Sequence, residues 1–196
     1  MKTNLKFLGV ALVALLLGGC VVQSIHPLFT EKDYIPAPRL VGAWIQQDED
    51  GKVQGDWQFE EKGPAYKLTH TDEKGRSATF RVAAGKIGTN VFLDLSLDDP
   101  SPAHQLNDLA AVHLIPAHVF VKLVETRDHL ALMAMDLDWL TKHLEQNPQA
   151  VAHVFSEKVP ILTAPTSGLK KFIARHADDG KVFKNEIKLV PKNRAR

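Results

Sequence analysis

The sequence predicts an α+β protein: an antiparallel β meander, closed into a barrel or half-barrel, with about two helices packed on it from the C-terminal half. Three observations predict it. Gly51, Gly63, Gly75 and Gly85 recur at intervals of 12, 12 and 10 residues, in or beside polar turns such as Asp48-Glu49-Asp50-Gly51 and Asp72-Glu73-Lys74-Gly75. That is the spacing of short strands joined by hairpins. Between these turns apolar residues alternate, with Trp57 and Phe59 sharing one face, Tyr66 and Leu68 another, and Phe80 and Val82 a third, as half-buried strands require. Farther on, Leu169, Phe172, Ile173, His176 and Ala177 fall at helical spacing, a stripe suited to packing against a sheet. With 196 residues, 44% hydrophobic and 24% charged, the chain has the composition of one folded domain rather than of a disordered or low-complexity segment.

Taken in order, residues 1–19 read as a secretory signal: Lys2 and Lys6, then an apolar run from Phe7 to Leu17, then small residues. Eleven apolar residues rise only about 16 Å as a helix, short of the roughly 30 Å hydrocarbon core. Leu17-Gly18-Gly19-Cys20 resembles the lipobox of bacterial lipoproteins, which implies cleavage before Cys20 and acylation of its thiol. Cys20 is the only cysteine, so no internal disulfide is available. In such lipoproteins an aspartate after the cysteine favours inner-membrane retention. Val21 and Val22 follow here, so the resemblance implies outer-membrane attachment facing the periplasm. Without residues 1–19 the chain carries 22 basic against 23 acidic side chains, a balance that gives no attraction to nucleic acid.

Residues 20–39, with His26-Pro27, Pro36 and Pro38, read as an extended lipidated tether, because proline removes a donor and holds its predecessor extended. A single α+β domain is expected over 40–190, and a basic tail over 191–196. Within the domain, strands are expected near 42–47, 54–61, 64–71, 77–84 and 90–97. A Pro100 and Pro102 loop follows, with a helical turn near Gln105–Ala110. Strands over 112–124 and 129–135 join at Thr126-Arg127-Asp128; being apolar on both faces, they should be covered on both sides. Helices are expected over 137–146, starting at Asp136 or Asp138, and over 166–177, capped by Thr163 or Thr166. Strands over 159–163 and 182–190 flank the second helix.

Gly42-Ala43-Trp44, at the start of the first meander strand, resembles the Gly-x-Trp motif that opens the barrel of lipocalins and related calycins, which implies a lipocalin-like barrel. The longer pattern of His26-Pro27-Leu28-Phe29-Thr30, Gly42-Ala43-Trp44, the apolar hairpin and Asp138-Trp139-Leu140 is similar to a group of small bacterial lipoproteins without assigned activity. The resemblance implies no catalytic residues.

Chemistry-bearing constellations are sparse. His104, His113 and His118 fall within fifteen residues and are the candidate metal ligands, since imidazole is a common zinc ligand. His113 and His118 are five apart, however, and face opposite sides of a regular strand, so no metal site is expected. No Gly-x-Ser-x-Gly elbow or phosphate-binding glycine loop occurs, and neither an enzyme nor a cofactor is expected. Lys181, Lys184, Lys188, Lys192, Arg194 and Arg196 make the C-terminal segment basic. The expected function is a non-catalytic module held to the membrane by its N-terminal lipid. It would bind an apolar or amphipathic small molecule within the meander or, alternatively, dock onto another envelope protein. Trp44, Trp57, Phe59, Phe80, Phe92 and Phe120 are the candidate lining or core residues.

Overall fold

The computed structural model describes residues 21–98 and 116–194. They form eleven strands and two helices: β1 (Gln23–Ser24), β2 (Gly42–Gln47), β3 (Val53–Lys62), β4 (Ala65–Asp72), β5 (Ser77–Ile87), β6 (Asn90–Leu97), β7 (His118–Glu125), β8 (Leu130–Met135), α1 (Leu137–Gln146), β9 (His153–Ser156), β10 (Val159–Leu162), α2 (Thr166–His176) and β11 (Phe183–Pro191). Strands β2 to β8 follow one another as antiparallel neighbours. β11 then pairs with β8 on one side and β2 on the other, closing an eight-stranded antiparallel barrel. The fold is thus the α+β meander with two C-terminal helices, α1 and α2 lying between the last two barrel strands. β1, β10 and β9 make a side sheet that branches from β7, with Gln23 opposite Val119 and Ser24 opposite His118.

The period-two alternation of the strands sorts the core into two layers. One side of the barrel strands turns inward with Trp44, Trp57, Phe59, Tyr66, Leu68, Val82, Leu93, Val121, Leu123, Leu130, Leu132 and Leu189. The opposite side of β6, β7 and β8 turns outward with Phe92, Phe120 and Met135 and is covered by Leu140 and Leu144 of α1 and Leu169, Phe172 and Ile173 of α2. The β7–β8 hairpin is therefore buried on both faces, as its unbroken apolar sequence predicts.

Residues 21–40 are not an extended tether. Val22, Leu28, Phe29, Ala37 and Leu40 are buried, and the segment packs against the barrel. Leu28 and Phe29 join the helix-covered layer, while Ala37 and Leu40 join the inner one. Proline restricts the backbone without preventing its burial, and the apolar residues between the prolines supply the driving force. Gly85 is likewise no turn: it lies within β5, and the hairpin to β6 turns at Gly88 (φ 62°). A Cβ on Gly85 would meet three atoms of the Phe29 ring at 2.5–2.6 Å, so this glycine serves the close approach of the N-terminal segment. β7 is seen from His118; residues 112–115 and the expected turn near 105–110 lie outside the described residues. β9 was not expected. α1 is capped by Asp136, whose carboxylate accepts from the Trp139 N–H at 2.7 Å, whereas α2 has Pro165 at its N-cap with no side-chain cap.

Candidate functional site

Barrel interiors are the usual ligand sites of this architecture, and an eight-stranded barrel is just wide enough either for its own side chains or for one small ligand. Here side chains fill the middle of the barrel, while the inward-facing Phe80, Val91, Leu95, Val119 and Ile187 are half-buried. Phe59, Val82, Leu93, Leu130 and Leu189 are 0% exposed, with Leu68, Ala84 and Leu132 at 1%. A void able to admit a water molecule beside any of them would leave accessible surface on it. The two inward tryptophans are fixed by their indole donors. Trp44 Nε1 donates to the Leu40 carbonyl at 2.8 Å, and Trp57 Nε1 donates to Gln46 Oε1 at 3.2 Å. His70 sits edge-on to Trp57, ring centroids 4.9 Å apart. Burial pushes its imidazole below the ordinary value, and nearby Asp72 and Asp56 only partly oppose this.

Four of the six predicted aromatic residues therefore belong to the interior layer: Trp44, Trp57 and Phe59 as buried core, Phe80 as a half-buried neighbour. Phe92 and Phe120 do not line it. Their positions put them on the outer face, where Phe92 meets Phe183 edge-to-face at 5.3 Å beneath the helices. Along β6, Leu93 is the inward residue and Phe92 the outward one, a distinction that reverses with a one-residue change of register. In the Gly42-Ala43-Trp44 motif, Gly42 adopts φ 132°, a conformation open to glycine and strained for other residues, and Trp44 turns into the barrel two positions on.

His104 and His113 lie outside the described residues. His118 faces outward and its Nδ1 is 2.8 Å from Asp94 Oδ1. The other Asp94 oxygen accepts from the buried Leu28 N–H at 2.7 Å. Asp94 thus satisfies a backbone donor that the barrel wall would otherwise bury unpaired, at a cost of about 1–3 kcal/mol. Elsewhere along the segment, Thr166 Oγ1 donates to the Pro27 carbonyl at 2.7 Å, Ser24 Oγ donates to the His26 carbonyl at 2.9 Å, and the Ala37 N–H donates to Tyr66 Oη at 2.7 Å. Asp33, bound by Lys170 and by the Thr30 hydroxyl and N–H, has its carboxyl lowered to about 2, chiefly by Lys170. These polar clamps were not found from sequence. Their signals were an aspartate among apolar neighbours in β6, and Leu28-Phe29 followed by Thr30 and Asp33.

A second constellation lies between the helices. Trp139 and His143, one turn apart on α1, stack with centroids 4.7 Å apart, and His176 of α2 meets His143 edge-on at 5.1 Å. His143 and His176 border an open groove with Asn147, Pro148 and Arg175. Burial, then the neighbouring His143, holds the His176 imidazole below its ordinary value. Another open groove, of about 760 Å³, runs along Val41–Ile45 and Pro191–Asn193 at the end of the barrel. Among the described residues, no three His, Cys, Asp or Glu side chains converge as metal ligands, and no helix is long and apolar enough to cross a membrane. Neither a family model, nor a curated protein, nor a solved structure matches the chain.

Proposed function

We propose that this chain is an envelope lipoprotein, acylated at Cys20, whose barrel is a non-catalytic module for docking onto another envelope protein. The observation that carries the reading is the packed middle of the barrel: Phe59, Leu93, Leu130 and Leu189 are inaccessible to solvent, so the domain offers partners its surface more than its inside. Placement at the membrane comes from the lipobox-like Leu17-Gly18-Gly19-Cys20 and from the several acyl chains such a cysteine carries, each buried methylene contributing about 0.8 kcal/mol. Because the segment after Cys20 is folded onto the barrel, the domain would stand directly at the bilayer. The test is crosslinking in intact cells that express the tagged full chain. The reading expects a discrete protein adduct that is lost in Cys20→Ser, the unanchored form. Recovery of the chain uncrosslinked from intact envelopes would oppose it.

A small-molecule role has one specific support, the open apolar groove along Gly42-Ala43-Trp44 and Pro191, whose volume falls within the usual range for ligand pockets. In this reading an amphipathic ligand binds at the barrel's end, not within it. Saturable displacement of a fluorescent fatty acid, weakened by Ala43→Asp, would favour it over docking.

A further inference from the structure

We propose that the outer face of the side sheet β1–β10–β9 rests on the lipid bilayer, so that the chain is held in a fixed orientation by an apolar sheet face beside its acyl anchor. The inference rests on acylation of Cys20 and adds the part of the fold that touches lipid. In the side sheet, Gln23 stands opposite Ile161 and Ile161 opposite Val154, while Val159 is paired with Ser156. By strand alternation, Gln23, Ile161, Val159, Val154 and Ser156 fall on one face, with Val21 and Ile25 flanking β1; Gln23 and Ser156 are its polar members. The other face carries Val22, Ser24, Pro160 and Leu162, all buried. The first face therefore looks away from the core. Val154 is 52% exposed and Ile25 36%; Phe155, paired with Pro160, belongs to the opposite face.

The chain itself says what covers this face. β1 runs parallel to β10. Val21 lies two residues before Gln23, which stands opposite Ile161. Cys20 directly precedes Val21 in the sequence. An acylated Cys20 cannot leave the bilayer surface, and the strand that begins at Gln23, whose face continues through Ile161 to Val154, follows it within three residues. An apolar face held there by a covalent anchor is removed from water by lipid. The open edge of β9 keeps the contact interfacial, because unpaired backbone groups are not tolerated in the hydrocarbon core.

The hairpin turn supplies an independent observation. Its two residues, Glu157 (φ 47°) and Lys158 (φ 72°), are the non-glycine residues with positive φ among those described. A two-residue turn of this type favours Asn-Gly. Here the turn carries one acidic and one basic side chain, both exposed.

The experiment uses the full acylated chain. Cys20 is the only native cysteine and its thiol is consumed by the lipid, so Val154→Cys carries one free thiol for an environment-sensitive fluorophore. Val124→Cys is the control: Val124 is exposed but lies six residues along β7 from His118, about 20 Å away at the rise of a strand. In phosphatidylethanolamine–phosphatidylglycerol vesicles containing doxyl-labelled lipid, the label at 154 should shift to the blue and lose most of its emission, and the label at 124 should do neither. Flotation and the intact mass of Cys20 separate the two claims. If the chain carries no acyl mass and does not float, the lipoprotein reading falls and this inference with it. If it floats acylated but 154 and 124 report the same aqueous environment, only the sheet-face contact is overturned. A label at 154 that is protected before vesicles are added also overturns it, in favour of a protein partner or a second copy on that face.

Discussion

Replacing Gly85 by alanine tests whether the N-terminal segment is part of the barrel. The new methyl would lie 2.5 Å from Phe29 Cε1 and 2.6 Å from Cδ1 and Cζ, about 1 Å inside the 3.5–4.0 Å of a relaxed carbon contact. Neither side can yield easily. Phe29 is 1% exposed, and Gly85 is held in β5 opposite Phe92 on one side and bridged to Tyr34 on the other. Overpacking of this kind costs about 1–3 kcal/mol, offset by about 0.5–1 kcal/mol because alanine is a better strand residue than glycine. The expected net loss is about 1–2 kcal/mol, read as a lower urea midpoint at unchanged slope. Phe29→Leu gives the methyl room. In the double variant much of the Gly85→Ala loss should be recovered, with a coupling of about 0.5–3 kcal/mol between the two sites. Strict additivity, or a Gly85→Ala protein as stable as the parent, would refute the packing and restore residues 21–39 as a free tether.

Further outcomes follow from the same structure. Trp44→Ala should lower stability by about 3–5 kcal/mol, the usual cost of emptying a buried aromatic site; an unchanged denaturation midpoint would contradict an inward Trp44. Glu157→Asn with Lys158→Gly relieves two positive-φ positions and should raise stability by about 0.5–1 kcal/mol, measured by thermal unfolding of the unacylated chain. Acid should weaken the fold in two stages. His70 and His176 have lowered pKa values, so they contribute stability above the ordinary histidine range that is lost as pH falls through their folded values. Asp33, lowered from 3.8 to about 2, contributes stability above pH 4 that is lost as pH falls from there toward 2. His176→Gln should flatten the first stage and Asp33→Asn the second, in denaturation midpoints followed against pH.

The barrel was legible because its determinants are local. Hairpin turns at Gly51, Gly63 and Gly75 and the alternation around Trp57, Leu68 and Val82 specify the strands and their inward faces without reference to distant residues. The helix start at Asp136 was legible for the same reason. What escaped depends on contacts far apart in sequence. Leu28 and Phe29 look like residues of a linker until Gly85 and Asp94 are brought beside them, and Gly85 reads as a turn because nothing local shows the ring that occupies its missing side chain. Phe92 and Phe120 are apolar residues in strands buried on both faces, and there alternation cannot say which face is the interior. β9 is a four-residue edge strand, and its exposed Val154 and Phe155 have no period to announce it. Of the candidate lining or core residues, Trp44, Trp57 and Phe59 are buried in the inner layer and Phe92 and Phe120 in the outer one. Asp94 and the His143–His176 pair were missed because their partners lie in other elements.

The most direct test of the account is the native mass spectrum of the full-length protein, expressed in a bacterium with lipoprotein processing and released from its membranes in detergent. The account predicts a chain that begins at Cys20, carries acyl mass on that residue, and holds no stoichiometric small molecule, because the middle of the barrel is packed with its own side chains. A chain that retains residues 1–19 without acylation, or an acylated chain that carries an apolar ligand retained after Ala43→Asp blocks the surface groove, would contradict it.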